Sequence, residues 1–253
     1  MLKAYLKHWW KAKNEHGIHS PFVFELYNEF KKSDSKFEEI EQFSRRFKKD
    51  RRNIEIKDLG AGSKHARSNQ RSVASIASKS RKSAKWAKLM AKIIEKADYR
   101  YIIELGTSLG FTSAYFSKTA PFAKIYTFEG CPNTLSIAKE NFKTLSCHNV
   151  TPFLGNIDDT LPNLLSQIPK VDFVFFDANH QYEATMSYFR HCLSKAHEES
   201  CFVFDDIYWS KGMEQAWEEI KNHEKVTISL DFFQLGVVFF RQKQEKQHFV
   251  LKL

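Results

Sequence analysis

The sequence predicts an α/β protein with a doubly wound, mostly parallel sheet, preceded by a mostly helical extension. Three observations predict it. From residue 101 onward, apolar runs alternate with segments of helical period. One of these runs, Val171 to Phe176, is apolar almost without a break, as a strand covered on both faces must be. Before residue 101 the pattern is helical with one short interruption.

Each element follows from local signals. Leu2, Tyr5, Leu6, Trp9 and Trp10 recur at helical spacing, with Lys3, Lys7 and Lys11 on the other face. A basic, Trp-bearing helix suits a membrane surface. Such helices more often pack on their own domain, and packing is the expectation here. Ser20 reads as the N-cap and Pro21 as the first residue of a helix carrying Phe22, Phe24, Leu26, Tyr27 and Phe30. A charged helix is expected at about 36–50. Residues 54–63 read as a short strand and a turn through Gly60 and Gly62, followed by helical stretches rich in Lys and Arg.

Strands are then predicted at 101–105, 124–128, 150–154, 171–176 and 200–205. Helices are predicted between them at 111–119, 132–145, 159–167 and 181–194, and afterwards at 211–222. Three β-rich pieces close the chain, at 226–230, 235–241 and 246–252. This divides the chain into a basic extension, 1–100, and an α/β domain, 101–253.

Composition excludes several classes. The four cysteines form no Cys-x-x-Cys pair, which argues against zinc or a disulfide framework and fits a reducing cytoplasm. No apolar run approaches the roughly 20 residues that span a bilayer. Lys3 and Lys7 interrupt the N-terminus, so it does not read as a secretory signal. The net charge of +9 is uneven: residues 1–100 hold 25 Lys and Arg against 12 Asp and Glu, and the remainder 14 against 18. A basic surface for RNA, anionic lipid or an acidic substrate and a merely solubilising helical face both fit.

In doubly wound sheets ligands bind beyond the carboxyl ends of the strands, so each strand end is a candidate position for chemistry. Glu104-Leu-Gly106-Thr-Ser108-Leu-Gly110 follows the first apolar run and opens a helix, placing free backbone N–H groups beside a glycine turn. The Gly-x-x-x-Gly spacing lacks the middle glycine of the dinucleotide fingerprint, which disfavours a nicotinamide cofactor. With Glu104 as an acceptor for an amino group, the loop suits a nucleoside cofactor bearing an amino-acid tail. Glu129 ends the second strand about 20 residues further on, where a carboxylate takes ribose hydroxyls. Gly155-Asn156-Ile157-Asp158 ends the third, pairing a polar edge with an apolar face as an adenine requires. Asn156 and Asp158 equally suit a helix cap.

The fourth strand ends at Asp177, with His180 three residues on, and the fifth at Asp205-Asp206. Three carboxylates at adjacent strand ends repel unless a cation or proton lies between them, and they suit a hard ion such as Mg²⁺. Each also fits a cap or turn. His180 is placed to take a proton near neutral pH; a surface histidine is its alternative.

These residues together resemble the class I S-adenosylmethionine-dependent methyltransferases, in the O-methyltransferase branch related to catechol O-methyltransferase. The motifs are Glu104 to Thr112, Tyr126-Thr-Phe-Glu129, Gly155-Asn-Ile-Asp158, Val171 to Asp177 and Phe204-Asp-Asp206, spanning about 101–241. The resemblance implies a Rossmann-like, seven-stranded, mostly parallel sheet with helices on both faces, and makes 101–253 the S-adenosylmethionine-binding domain. It implies Glu104, Gly106, Ser108, Gly110 and Thr112 around the methionine moiety, Glu129 at the ribose, and Asn156 with Ile157 at the adenine. Asp177 would border the cofactor, act with His180 in catalysis, and share the metal positions with Asp205 and Asp206. His180 stands where the family has a catalytic lysine. The segment His19 to Phe24 is also similar to one in bacterial methyltransferase-like proteins.

Neither the Asn/Asp-Pro-Pro-aromatic motif of amine-directed nucleic-acid enzymes nor the Pro-Cys nucleophile of cytosine enzymes stands at the fourth strand. The expected acceptor is therefore a hydroxyl of a small molecule or glycan precursor, with Mg²⁺ assisting. Two alternatives stay open: an RNA-binding or RNA-modifying enzyme docking through the basic stretch 63–100, and a cofactor-binding relative without methyl transfer. Asp58 to Ser63 reads as a loop of the extension, with Lys64, Arg67 and Arg71 placed to meet an anionic substrate.

Overall fold

The structure, a computed structural model, describes residues 2–32, 36–57, 69–79 and 84–253. The expectations for Asp58 to Ser63, Lys64 and Arg67 fall outside these residues. In chain order the elements begin with α1 (Leu2–Lys11), α2 (Pro21–Lys31), α3 (Glu38–Phe47), β1 (Asn53–Glu55), β2 (Gln70–Ser72), α4 (Val73–Lys79) and α5 (Ala84–Ala97). There follow β3 (Tyr101–Leu105), α6 (Phe111–Thr119), β4 (Lys124–Glu129), α7 (Pro132–Thr144), β5 (Val150–Leu154) and α8 (Ile157–Gln167). The last are β6 (Val171–Phe176), α9 (Tyr182–Leu193), β7 (Ala196–Asp205), α10 (Lys211–Asn222), β8 (Ile228–Asp231), β9 (Leu235–Phe239) and β10 (Gln247–Val250).

The chain forms two compact units, one of Ser33–Asn163 and one of Met1–Lys32 with Leu164–Leu253. In the first, β3, β4 and β5 pair in parallel in that order, and β1 and β2 form a separate antiparallel pair. Helix α5 buries Trp86, Leu89, Met90, Ile93 and Ile94 at helical spacing. Its basic residues belong to the other face, where Lys88 meets Glu41 at 2.6 Å and Lys36 meets Glu95 at 3.0 Å. Phe43 and Phe47 of α3 pack edge-on against Phe111 at the start of α6.

In the second unit β6 pairs in parallel with β7, β7 antiparallel with β9, β9 antiparallel with β8, and β8 in parallel with β10. Every residue of β6 is buried, as its apolar sequence requires. The Ser20 hydroxyl accepts from Val23 N–H at 3.4 Å and Pro21 opens α2. Phe22 and Phe30 of that helix meet Phe239 and Phe232 edge-on, with ring centroids 5.1 and 6.0 Å apart.

The alternating, mostly parallel order matches the expectation, with two corrections. Among the described residues there are, beyond β1 and β2, eight strands rather than seven, because all three C-terminal β-rich pieces pair. Strand β7 begins at Ala196 rather than 200, through a polar His-Glu-Glu stretch, half-buried at His197 and exposed at Glu198 and Glu199, that carries no strand signal in sequence. Helix α1 also differs in part: it packs inward through His8, but Leu6, Trp9 and Trp10 face outward.

Candidate active site

The turn after β3 is built on left-handed backbone. Gly106, Ser108 and Gly110 have φ of 104°, 48° and 79°. A Cβ at Gly110 would lie 2.6 Å from the Phe142 ring, so glycine is required there both for φ and for packing. The Asn141 side-chain amide holds the turn by donating to Leu109 C=O at 2.9 Å. Helix α6 starts at Phe111, so its first-turn N–H groups open onto the turn. Thr112 is half-buried in that first turn.

Glu129 ends β4 beside this turn. Its carboxylate accepts the Ser108 N–H at 2.8 Å and the Cys131 N–H at 2.9 Å, one on each oxygen. Two amides therefore fix its orientation. Glu104 is in the opposite situation, 1% exposed and taking hydrogen bonds from the Ser113 hydroxyl and, at 2.7 Å, from the Thr127 hydroxyl. Burial pushes its carboxyl up to about 7, outweighing those two hydrogen bonds, with the nearby Glu129 charge adding to the rise. Ser113 and Thr127 carry no local sequence signal for this role; they sit 9 and 23 residues from Glu104 and nothing local links them.

After β5, Gly155 has φ of 140° and Asn156 caps α8. The Asn156 side-chain oxygen accepts from Asp158 N–H at 3.2 Å, and its C=O accepts from Thr160 N–H at 3.0 Å. The cap alternative is thus realised at Asn156. Ile157 is buried and Asp158 exposed.

The other unit carries the second group. Asp177 follows β6, His180 lies three residues on, and Asp205 ends β7, 4% exposed. Their ligand atoms lie within 4.8 Å of one another, and His180 Nε2 is 3.7 Å from Asp177 Oδ1. Asp206 lies outside this group among the described residues; its φ is 52° and its N–H donates to Gln234 C=O at 2.8 Å. Asn179, between Asp177 and His180, has φ of 61° and a buried side-chain oxygen with no hydrogen-bond partner. Two carboxylates, an imidazole and a spare amide oxygen fit a divalent ion by donor chemistry, and the nitrogen widens the choice beyond Mg²⁺.

The fold is the Rossmann-like α/β fold seen in class I methyltransferases. It superposes on the O-methyltransferase TomG from Streptomyces achromogenes, crystallised with SAM and involved in tomaymycin synthesis, at a TM-score of 0.60 with 18% identity, covering 83% of this chain and 91% of that one. It superposes on the SAH-bound Podospora anserina methyltransferase PaMTH1 at 0.61 with 13% identity, covering 89% and 97%. By sequence, residues 103–207 match a family model described as a methyltransferase domain. The O-methyltransferase imqG of Aspergillus flavus is 24% identical over 127 residues, 48% of this chain. The chain spans about half the length of that curated relative, 51%.

Proposed function

We propose that this chain is an S-adenosylmethionine-dependent methyltransferase acting on a hydroxyl of a small molecule or glycan precursor. One observation carries the reading: the Glu129 carboxylate, oriented by the Ser108 and Cys131 amides beside the left-handed turn from Gly106 to Gly110. The O-methyltransferases among the similar proteins support a hydroxyl acceptor. When bound, S-adenosylmethionine supplies an electrophilic methyl on a sulfonium.

The chain's own residues would hold, orient and deprotonate. Glu129 would accept ribose hydroxyls, since a carboxylate oxygen that already takes one amide retains acceptor capacity. Asn156 and Ile157 would receive the adenine; Glu104, Gly106, Ser108, Gly110 and Thr112 would surround the methionine moiety, with Asp177 as a further contact. His180 would take the acceptor hydroxyl's proton, with Asp177 orienting the imidazole. Asp177 and Asp205 would hold a divalent ion, which lowers the pKa of a bound hydroxyl. Asp206 stands outside their group, so the metal role rests on the other two carboxylates.

Calorimetry with S-adenosylmethionine and S-adenosylhomocysteine tests the reading. Glu129→Ala is expected to weaken both by about tenfold or more, the worth of a hydrogen bond to a charged group. Equal binding by the variant, or none by the native chain, removes the assignment.

A further inference from the structure

Helix α1 arranges its side chains in rows four residues apart. Tyr5 and Trp9 form one row, Leu6 and Trp10 the next, Lys7 and Lys11 the third, and His8 turns inward. The outward apolar side chains are strongly exposed, from 48% for Tyr5 to 86% for Trp10. Lys7 and Lys11 are exposed beside them. No acidic residue occurs in the helix, whose sequence is LKAYLKHWWK. Exposed Lys13 follows it, and Lys252 Nζ sits 4.6 Å from the Trp9 ring centroid.

Tyr5 packs edge-on against Phe233, ring centroids 5.1 Å apart, but Leu6, Trp9 and Trp10 together on the outside of a ten-residue helix are not an ordinary solvated face. Indole rings prefer the headgroup region of a bilayer, and lysines flanking them reach lipid phosphates. We propose that α1 docks this chain on an anionic lipid surface, with Leu6, Trp9 and Trp10 inserted and Lys7 and Lys11 on the phosphates. Ten residues are too few to cross a bilayer, so the helix would lie in the interface plane.

Charge selects lipid over a second copy of the chain. A two-fold contact would bring the same lysine rows together, whereas an anionic bilayer neutralises them. Within residues 1–32, six basic residues stand against three acidic ones, which adds to the attraction. On the inward side, His8 Nε2 meets Asp231 Oδ1 at 3.2 Å, so docking needs no detachment of the helix. This inference stands independently of the methyltransferase reading.

The test is co-sedimentation of the full chain with vesicles of phosphatidylcholine alone and of phosphatidylcholine mixed with phosphatidylglycerol. Binding is expected to be at least about tenfold stronger on the mixed vesicles and to fall with salt. Tryptophan emission should shift to the blue there, and chain-brominated lipid should quench it. The double variant Trp9→Ser with Trp10→Ser, and separately Lys7→Glu with Lys11→Glu, should each lose about tenfold or more in partitioning with unchanged thermal unfolding. Equal binding to both vesicles, no binding at low salt, or full retention by the tryptophan variant overturns the proposal. So does a dimer in sedimentation that the tryptophan variant dissolves.

Discussion

Glu104 and Glu129 are carboxylates on neighbouring strands with opposite surroundings. Two amides stabilise the charge on Glu129, while burial penalises the charge on Glu104. The carboxyl of Glu104 ordinarily titrates at 4.5 and is raised to about 7 in the folded chain. Between those values the native state holds a proton that the unfolded state has released, so this group's contribution to stability falls as pH rises through the window. At about 1.4 kcal/mol per pKa unit the loss is on the order of 3 kcal/mol, complete above the folded value. Glu104→Gln keeps an acceptor for Ser113 and Thr127 and removes the titration. Thermal melts should show the variant more stable than the native chain at pH 8 and no such gain at pH 4.5; equal melting at pH 8 contradicts the argument. At the other group, His180→Ala and Asp205→Ala are expected to lose about 10²–10⁴-fold in turnover while S-adenosylhomocysteine binding persists. Full turnover in both removes the proposed proton transfer. The sequence disclosed Glu104 and Glu129 because a strand end followed by a glycine turn is a local signal. It could not disclose Ser113, Thr127 or Asn141, whose roles arise only when separate elements pack.

At the scale of elements, periodicity and caps were sufficient for most boundaries. Predicted helices at 111–119 and 211–222 coincide with α6 and α10, and the prediction at 132–145 ends one residue beyond α7. Where side-chain pattern and structure part company, as at the polar start of β7, backbone pairing decides and the sequence is silent. The turn after β3 is sensitive to substitution. Gly110→Ala sets a Cβ 2.6 Å from the Phe142 ring at a φ of 79°, and should cost about 1–3 kcal/mol in stability together with cofactor affinity. Unchanged melting and binding would show that the turn tolerates a side chain. Helix α1 carries a pH-dependent attachment. Burial alone would lower the His8 pKa, but its hydrogen bonds and charge interaction with Asp231 outweigh burial and Lys252, leaving it raised above 6.5. Asp231, opposed by burial but bonded by His8, Tyr208 and the Phe233 N–H, is lowered. The pair's stabilisation is therefore full below 6.5 and fades as pH rises through the raised His8 value, and it fades in acid as pH falls through the lowered Asp231 value. Hydrogen exchange of α1, corrected for intrinsic rates, should show protection declining on the alkaline side; in His8→Gln that dependence should vanish. A native chain with flat protection across this range would exclude the attachment.

For the molecule as a whole, the two groups of residues belong to different compact units and make separable demands. Glu104, Glu129 and the turn lie in Ser33–Asn163; Asp177, His180 and Asp205 lie in the other unit. If the first group binds the nucleoside and the second activates the hydroxyl, ligand stabilisation and metal dependence must part. A ligand at 100 times its Kd stabilises by about 2.7 kcal/mol. In a chain of this length that corresponds to a rise of roughly 5–10 °C in melting temperature. S-adenosylhomocysteine should produce this rise equally with and without a chelator, because the Glu129 group contains no metal-ligand cluster among the described residues. Methyl transfer to a hydroxyl acceptor should fall when the chelator is present and return with Mg²⁺ or Mn²⁺, the ions that two carboxylates and an imidazole accommodate. Asp205→Asn should mimic the chelator in turnover and leave the melting shift intact. Two results would break the division of labour: a melting shift abolished by the chelator, or transfer indifferent both to the chelator and to Asp205→Asn.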